Sequence, residues 1–134
     1  MGYLLQAMGD LGGARPYYER ALVISERVLG PEHPDTALSL NNLGYLLQAM
    51  GDLGGARPHY VRALAIRERV LGSEHPDTAG SLNNMGILCY YEGDFPTAAD
   101  HMRRALAIWE KVLGPDHPNT RGSRESLAVI EAEL

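Results

Sequence analysis

The sequence repeats itself every 42 residues, and that period limits what the chain can fold into more than any other feature. Gly30-Pro31-Glu32-His33-Pro34-Asp35-Thr36 returns with small changes as Gly72 to Thr78 and again as Gly114 to Thr120. Residues 1–42 and 43–84 agree at 35 of 42 positions, and 43–84 agrees with 85–126 at 20 of 42. A period of this size points to an array of short structural units, each burying its apolar face mainly against its neighbours. The 134 residues therefore read as three periods and eight further residues, and not as one irregular domain.

Two helical patterns alternate within a period. Pro34 to Met50, with its later copy Pro76 to Glu92, reads as helix A. Leu40, Leu43, Leu47 and Met50 fall at spacings of three and four and predict its buried stripe. Pro34 suits the first helical position, and Asp35 suits the positive end of the helix dipole. Gly51-Asp52 breaks the pattern, with Asp52 available to cap the next helix. Helix B runs from about Leu53 to Leu71, with Ala56, Tyr60, Ala63, Leu64, Val70 and Leu71 on its apolar face and Arg62 and Arg69 on the solvated one. Gly72 ends it. A short A–B turn makes each pair an antiparallel hairpin. Gly54, Gly55 and Pro58 conflict with this pattern, because a proline past the first turn removes a hydrogen bond. A frayed, kinked or late start of helix B is expected there, whereas Pro96 falls in the first turn of the later copy. No strand pattern competes. The expected fold is all-α, with seven helices of which the first, beginning at Met1 in mid-pattern, is truncated. The units are 1–34, 35–76, 77–118 and a terminal capping helix at 119–134.

Leu43-Gly44, Gly51-Asp52, Ala56, Tyr60 and Ala63 recur as Met85-Gly86, Gly93-Asp94, Ala98, Met102 and Ala105. This set resembles the tetratricopeptide repeat, over the whole chain. The resemblance implies that the glycine and the two alanines let helices A and B touch, with Tyr60 filling the space beside them; Met102 departs from the aromatic. The usual repeat is about 34 residues. The longer unit, with Leu40-Asn41-Asn42-Leu43 and the Gly-Pro-Glu-His-Pro linker, is similar to the repeats of kinesin light chain and to those of large bacterial signalling proteins carrying an NTPase module. HEAT repeats have a similar length but not this glycine–alanine pattern. The fold implied is a right-handed α-solenoid, a superhelix of hairpins whose concave surface is lined by helix A.

The candidate site lies on the helix A face opposite the core stripe. In the second period it offers Leu38, Asn41, Asn42, Tyr45, Gln48 and Ala49, and in the third Gly80, Asn83, Asn84, Ile87, Tyr90 and Tyr91. Tyr3 and Gln6 come from the first period, and Gly122, Glu125 and Ser126 from the last helix. An asparagine amide both donates and accepts, which matches a peptide backbone; tyrosine adds flat apolar area with a polar tip. The resemblance supports a peptide-binding role for Asn41, Asn42, Tyr45, Gln48, Asn83, Asn84, Tyr90 and Tyr91. Solvated asparagines, or asparagines bonded between helices, are the other reading. Neither Leu38 to Met50 nor Gly80 to Tyr91 contains a lysine or arginine, so a clamp for a terminal carboxylate is not expected.

Other chemistry finds little footing. His33, His75 and His117 recur at equivalent linker positions, too far apart to converge on one ion, and read as residues that cap or pack helix A. The His-Pro-Asp match to co-chaperone J-domains is accidental. His59 and His101 align with Tyr17 and read as a tolerant surface position. Cys89 reads as a small buried residue, and Trp109 as packed on the last helix or exposed as a contact. No nucleophile, base and stabiliser can be named together, and Gly54-Gly55 lacks the ending of a phosphate loop. No enzyme activity, cofactor or metal is expected. A net charge of −5 opposes nucleic acid, including RNA, and anionic membranes as partners. No apolar run reaches membrane-span length and no secretory signal pattern appears, so a cytoplasmic protein is expected. The function expected is an interaction module binding a peptide or protein segment in the helix A groove. The competing reading is a structural or self-associating array, a head-to-tail or domain-swapped homo-oligomer through exposed repeat ends.

Overall fold

The structure, a computed structural model, describes residues 11–134. Six α-helices and no strand occur among the described residues: α1 (Leu11–Val28), α2 (Pro34–Ala49), α3 (Leu53–Leu71), α4 (Pro76–Tyr91), α5 (Phe95–Leu113) and α6 (Pro118–Glu131). The fold class is all-α, as the periodicity requires. The expected truncated first helix, with Tyr3 and Gln6, lies outside the described residues. None of the described helices is long and apolar enough to cross a membrane. The chain divides into two compact units, Met1–Ile66 and Arg67–Leu134, with the division inside α3.

The linker before each helix A is closed by local chemistry. Gly30 and Gly72 adopt positive φ (100° and 96°), which glycine reaches without a Cβ penalty. Histidine then serves as N-cap: Nδ1 of His33, His75 and His117 accepts from the backbone N–H of Asp35, Asp77 and Asn119 at 3.0, 3.0 and 3.1 Å. The capping role read from the repeated linker thus holds. A third device was not foreseen. Thr36 Oγ1 donates to Gly30 O at 2.7 Å and Thr78 Oγ1 to Gly72 O at 2.8 Å, tying the start of helix A to the end of the preceding helix. Thr120 is equally buried, but its hydroxyl has no hydrogen-bond partner.

Of the frayed, kinked or late start expected for α3, the late one does not occur: the helix begins at Leu53, with Pro58 inside it. Asp52 supplies the reason: its Oδ1 accepts from Gly55 N at 2.9 Å while its carbonyl accepts from Ala56 N at 3.1 Å. The side-chain cap on Gly55 N, ahead of this first intrahelical bond, holds the first turn. The carbonyl that Pro58 leaves without an intrahelical donor belongs to Gly54, which is exposed to water. Asp94 caps α5 in the same way, accepting from Thr97 N at 3.3 Å.

In the first unit α2 packs against both α1 and α3. The buried stripe is accordingly wider than the sequence reading allowed: Ala37, Leu40, Leu43, Leu46 and Leu47 are all buried. Leu46 joins the core, whereas Met50, expected there, sits at the helix end 41% exposed. On α3 the core residues are Ala56, Tyr60, Ala63 and Ile66; Val70, expected to be buried, is exposed. The A–B contact is closest at Gly44. A Cβ there would stand 2.8 and 2.9 Å from the Tyr60 ring, so no side chain fits without moving the ring. In the second unit a Cβ on Gly86 would meet Met102 Cε at 3.1 Å and the Ala98 carbonyl at 3.3 Å. Arg67 Nη1 donates to Asp77 O (3.0 Å) and Ser81 Oγ (3.2 Å), and Trp109 Nε1 to Pro76 O (3.0 Å), fixing the start of α4. Burial lowers the Arg67 pKa and the Asp77 charge opposes that shift.

Two outcomes follow from these contacts. Gly44→Ala loses about 1–2 kcal/mol in urea unfolding, overpacking outweighing the helix-propensity gain of about 1 kcal/mol. Gly122→Ala, where a Cβ meets nothing within 4 Å, is neutral or stabilising in the same measurement. Thr78→Val costs about 1 kcal/mol through the lost bond to Gly72, while Thr120→Val is neutral or stabilising because it removes a buried unpaired hydroxyl.

Candidate interaction site

The two units present the predicted helix A residues differently. In the first unit Asn42 and Tyr45 are exposed on α2, Tyr45 by 55%. Leu38 and Ala49 are exposed beside them. Asn41, expected to point outward, is buried at 6% exposure. Gln48 is half-buried and already engaged: Tyr60 Oη donates to its Oε1 at 3.2 Å. Burial, with a smaller contribution from Tyr45, holds the Tyr60 phenol well above its ordinary pKa, so it stays a donor.

In the second unit the helix A residues line a groove between α4 and α6. Asn83 and Asn84 are half-buried, Tyr90 is half-buried and Tyr91 is 61% exposed. The groove has two adjoining compartments, each about 230 Å³. One is apolar and aromatic, lined by Ile87, Tyr90, Tyr91, Ser126, Val129 and Ile130. The other is lined by Asn83, Trp109, Pro118, Asn119, Gly122, Ser123 and Ser126. Ser126 belongs to both. The apolar compartment rests on a packed cluster of Cys89, Ala98, Ala99, Met102 and Ile130, against which Ile87, Tyr90 and Leu127 lie. Its aromatic wall is ordered by ring contacts. Tyr90 meets Tyr91 edge-on at 5.8 Å between centroids and Phe95 at 5.5 Å. Ser123 Oγ donates to Met102 Sδ at 3.3 Å, pinning α6 to α5.

Asn83, Tyr90 and Tyr91 are thus brought together, with Gly122 and Ser126 opposite; Asn84 lies outside the two compartments. Sequence reasoning did not name Val129, Ile130, Asn119 or Ser123 as lining residues. The signal was present in α6, where Gly122, Ser126, Val129 and Ile130 follow each other at helical spacing. Trp109 is buried against the start of α4 as well as lining the compartment beside α6. Cys89 is buried. No group of three or more His, Cys, Asp and Glu side chains among the described residues is placed to hold a metal ion.

The helix pairing and these faces agree with a family match that spans the whole sequence. Models of the tetratricopeptide repeat match residues 1–68, 35–111 and 77–134. The chain belongs to the tetratricopeptide repeat family. It is similar in structure to BtubC (BKLC) from P. vanneervenii, with TM-score 0.89 and 27% identity over 98% of this chain and 53% of that one. It is also similar to a kinesin-light-chain-like protein of Podosopora anserina with nearly identical TPR-like repeats, with TM-score 0.90 and 26% identity over 98% of this chain and 63% of that one. The chain therefore spans between half and two thirds of these proteins. No curated protein sequence matches it. Tetratricopeptide repeats are in general protein-interaction modules.

His59 differs from the tolerant surface residue that its alignment with Tyr17 suggested. It is half-buried on α3, and burial, then the Arg62 and Arg15 charges, lower its pKa against the opposing Glu19 and Glu26. Arg62 itself pairs with Glu26 at 3.7 Å. A depressed folded pKa means that the unfolded chain binds this proton more readily. The contribution of His59 is complete above its unfolded value near 6.5 and is lost as pH falls below it. His59→Tyr should flatten the fall in unfolding free energy between about pH 7 and pH 5 relative to the parent protein; identical pH profiles by chemical denaturation would contradict this assignment.

Proposed function

We propose that the protein is a non-catalytic interaction module that binds a peptide or protein segment on its helix A faces. The observation that carries the reading is the groove between α4 and α6, where an aromatic, apolar compartment adjoins one with amide and hydroxyl groups. A segment lying there seats a side chain against Ile87, Tyr90 and Tyr91, while its backbone amides pair with Asn83 and Asn119. In the first unit Asn42 and Tyr45 are the contacts proposed, with Gln48 contributing less because Tyr60 occupies its carbonyl. The likeness to kinesin-light-chain-like repeat proteins supports an adaptor role of this type.

Self-association has one feature in its favour. Ile24 on α1 is 53% exposed, while its equivalent Ile66 is 2% exposed. Head-to-tail stacking on α6 is opposed by Ala128, which stands where Gly44 and Gly86 stand in the other two helices A. Its Cβ fills the space that a Tyr60-like ring requires.

The test is a peptide-library selection on the intact protein, followed by calorimetric titration of the selected peptides. Tyr90→Ser and Asn83→Ala should each weaken binding about tenfold or more, the size of a truncated interface anchor. Unchanged affinity in both variants would remove the groove from the interface.

A further inference from the structure

The lining of the α4–α6 groove contains no charged side chain, and that absence defines the ligand. On α4 the only ionisable carboxylate is Asp77, in the first turn, and there is no lysine or arginine from Pro76 to Tyr91. On α6 the two arginines are turned away from the groove. At about 100° per residue, Arg121 and Arg124 fall off the stripe defined by Gly122, Ser126 and Val129. Arg124 Nη2 instead donates to Pro115 O at 3.4 Å. Glu125 is the charged residue nearest that stripe, one turn from both Gly122 and Val129, and it is exposed. The carboxylate of Glu131 is turned to α5, where it pairs with Arg103 at 3.1 Å.

From this charge pattern we propose that the groove takes an extended segment that anchors one apolar side chain, carries neutral or basic neighbours, and rejects acidic ones. The proposal rests on the reading of this groove as a peptide site. An apolar side chain in the compartment of Ile87, Tyr90 and Val129 removes its surface from water without leaving a polar group behind. The residue beside it sits over Ser126, where the second compartment begins, and its backbone reaches Asn83. A carboxylate at that place loses hydration, finds no cation and faces Glu125. An ammonium or guanidinium group at the rim instead meets Glu125 across solvent, a weak attraction that ionic strength screens. The selectivity is therefore mostly a penalty against acidic segments.

An array of twelve-residue synthetic peptides decides it. Each peptide has one central leucine in a serine, asparagine and glycine background, with both neighbours of the leucine set to Gln, Lys or Asp. The probes are titrated by fluorescence anisotropy against the intact protein. The Gln and Lys sets should bind, the Asp set at least tenfold more weakly, and Tyr90→Ser should abolish the binding of both Gln and Lys sets. Glu125→Gln should narrow the gap between the Lys and Asp sets without altering the Gln set. Equal or tighter binding of the Asp set overturns the charge selectivity while leaving the peptide site intact. Absence of binding by all three sets overturns the peptide site itself, and the selectivity with it.

Discussion

The contact between helices A and B at Gly44 and Gly86 determines what every other surface of the molecule can do. With no Cβ at Gly44, the Tyr60 ring packs against the backbone of α2 at a distance that a larger residue there would disturb. Once that distance is set, Ala56 and Ala63 must be small, since both are completely buried beside it. The opposite side of helix A is thereby left to face its other neighbours. Dispersion over such a close contact is gained only if the packing is tight, because even a small gap loses much of it.

The filler residue also decides what happens to the partner face. Tyr60 brings a hydroxyl into the core and needs an acceptor, which Gln48 provides at 3.2 Å. Met102 stands at the equivalent place in the second unit and makes no such demand. The residue equivalent to Gln48 is Tyr90, which is free to form the groove wall against Tyr91 and Phe95. Loss of the aromatic filler and gain of an aromatic groove are thus two sides of one exchange. Met102 keeps a polar contact of its own through Ser123, and that contact draws α6 against α5 and closes the far side of the groove.

The helices themselves were legible because their signals are local: histidine caps, glycine ends and apolar spacing. Boundaries of α2, α3 and α4 fall within a residue of the sequence reading. Directions of individual side chains were less legible, since a wheel with one narrow stripe assumes one neighbour. Helix α2 has two, and Leu46 is buried while Met50 at the helix end is exposed. The frayed, kinked or late start expected for α3 weighed Pro58 by its intrinsic cost and not the Asp52 cap on Gly55 N ahead of it. In the candidate site, Asn83, Tyr90 and Tyr91 were legible from their face of helix A. Val129 and Ile130 share the helical spacing of Gly122 and Ser126, but that they face Ile87 and Tyr90 depends on where α6 packs. The threonine ties at Thr36 and Thr78 were hidden for the same reason, being bonds between two helices.

Part of the buried set is kept between the periods, although Leu43, Leu47 and Tyr60 give way to Met85, Cys89 and Met102. The second and third periods share the alanines (Ala56 and Ala98, Ala63 and Ala105), Leu40 with Leu82, and Ile66 with Ile108, all of them buried. Four of the differences fall on the groove lining: Tyr45 becomes Ile87, Gln48 becomes Tyr90, Ala49 becomes Tyr91 and Arg67 becomes Trp109. Each exchange adds apolar or aromatic area or removes a charge. Changes of this size are tolerated on a helix face because the backbone is already fixed by the buried set. At Gly44 a methyl group would meet the Tyr60 ring at 2.8 and 2.9 Å, and at Gly86 the tip of Met102 and the Ala98 carbonyl at 3.1 and 3.3 Å. The chain therefore keeps one hairpin geometry while the helix A faces of α2 and α4 acquire different chemistry. One presents an amide and a tyrosine to solvent, and the other forms an uncharged aromatic cleft.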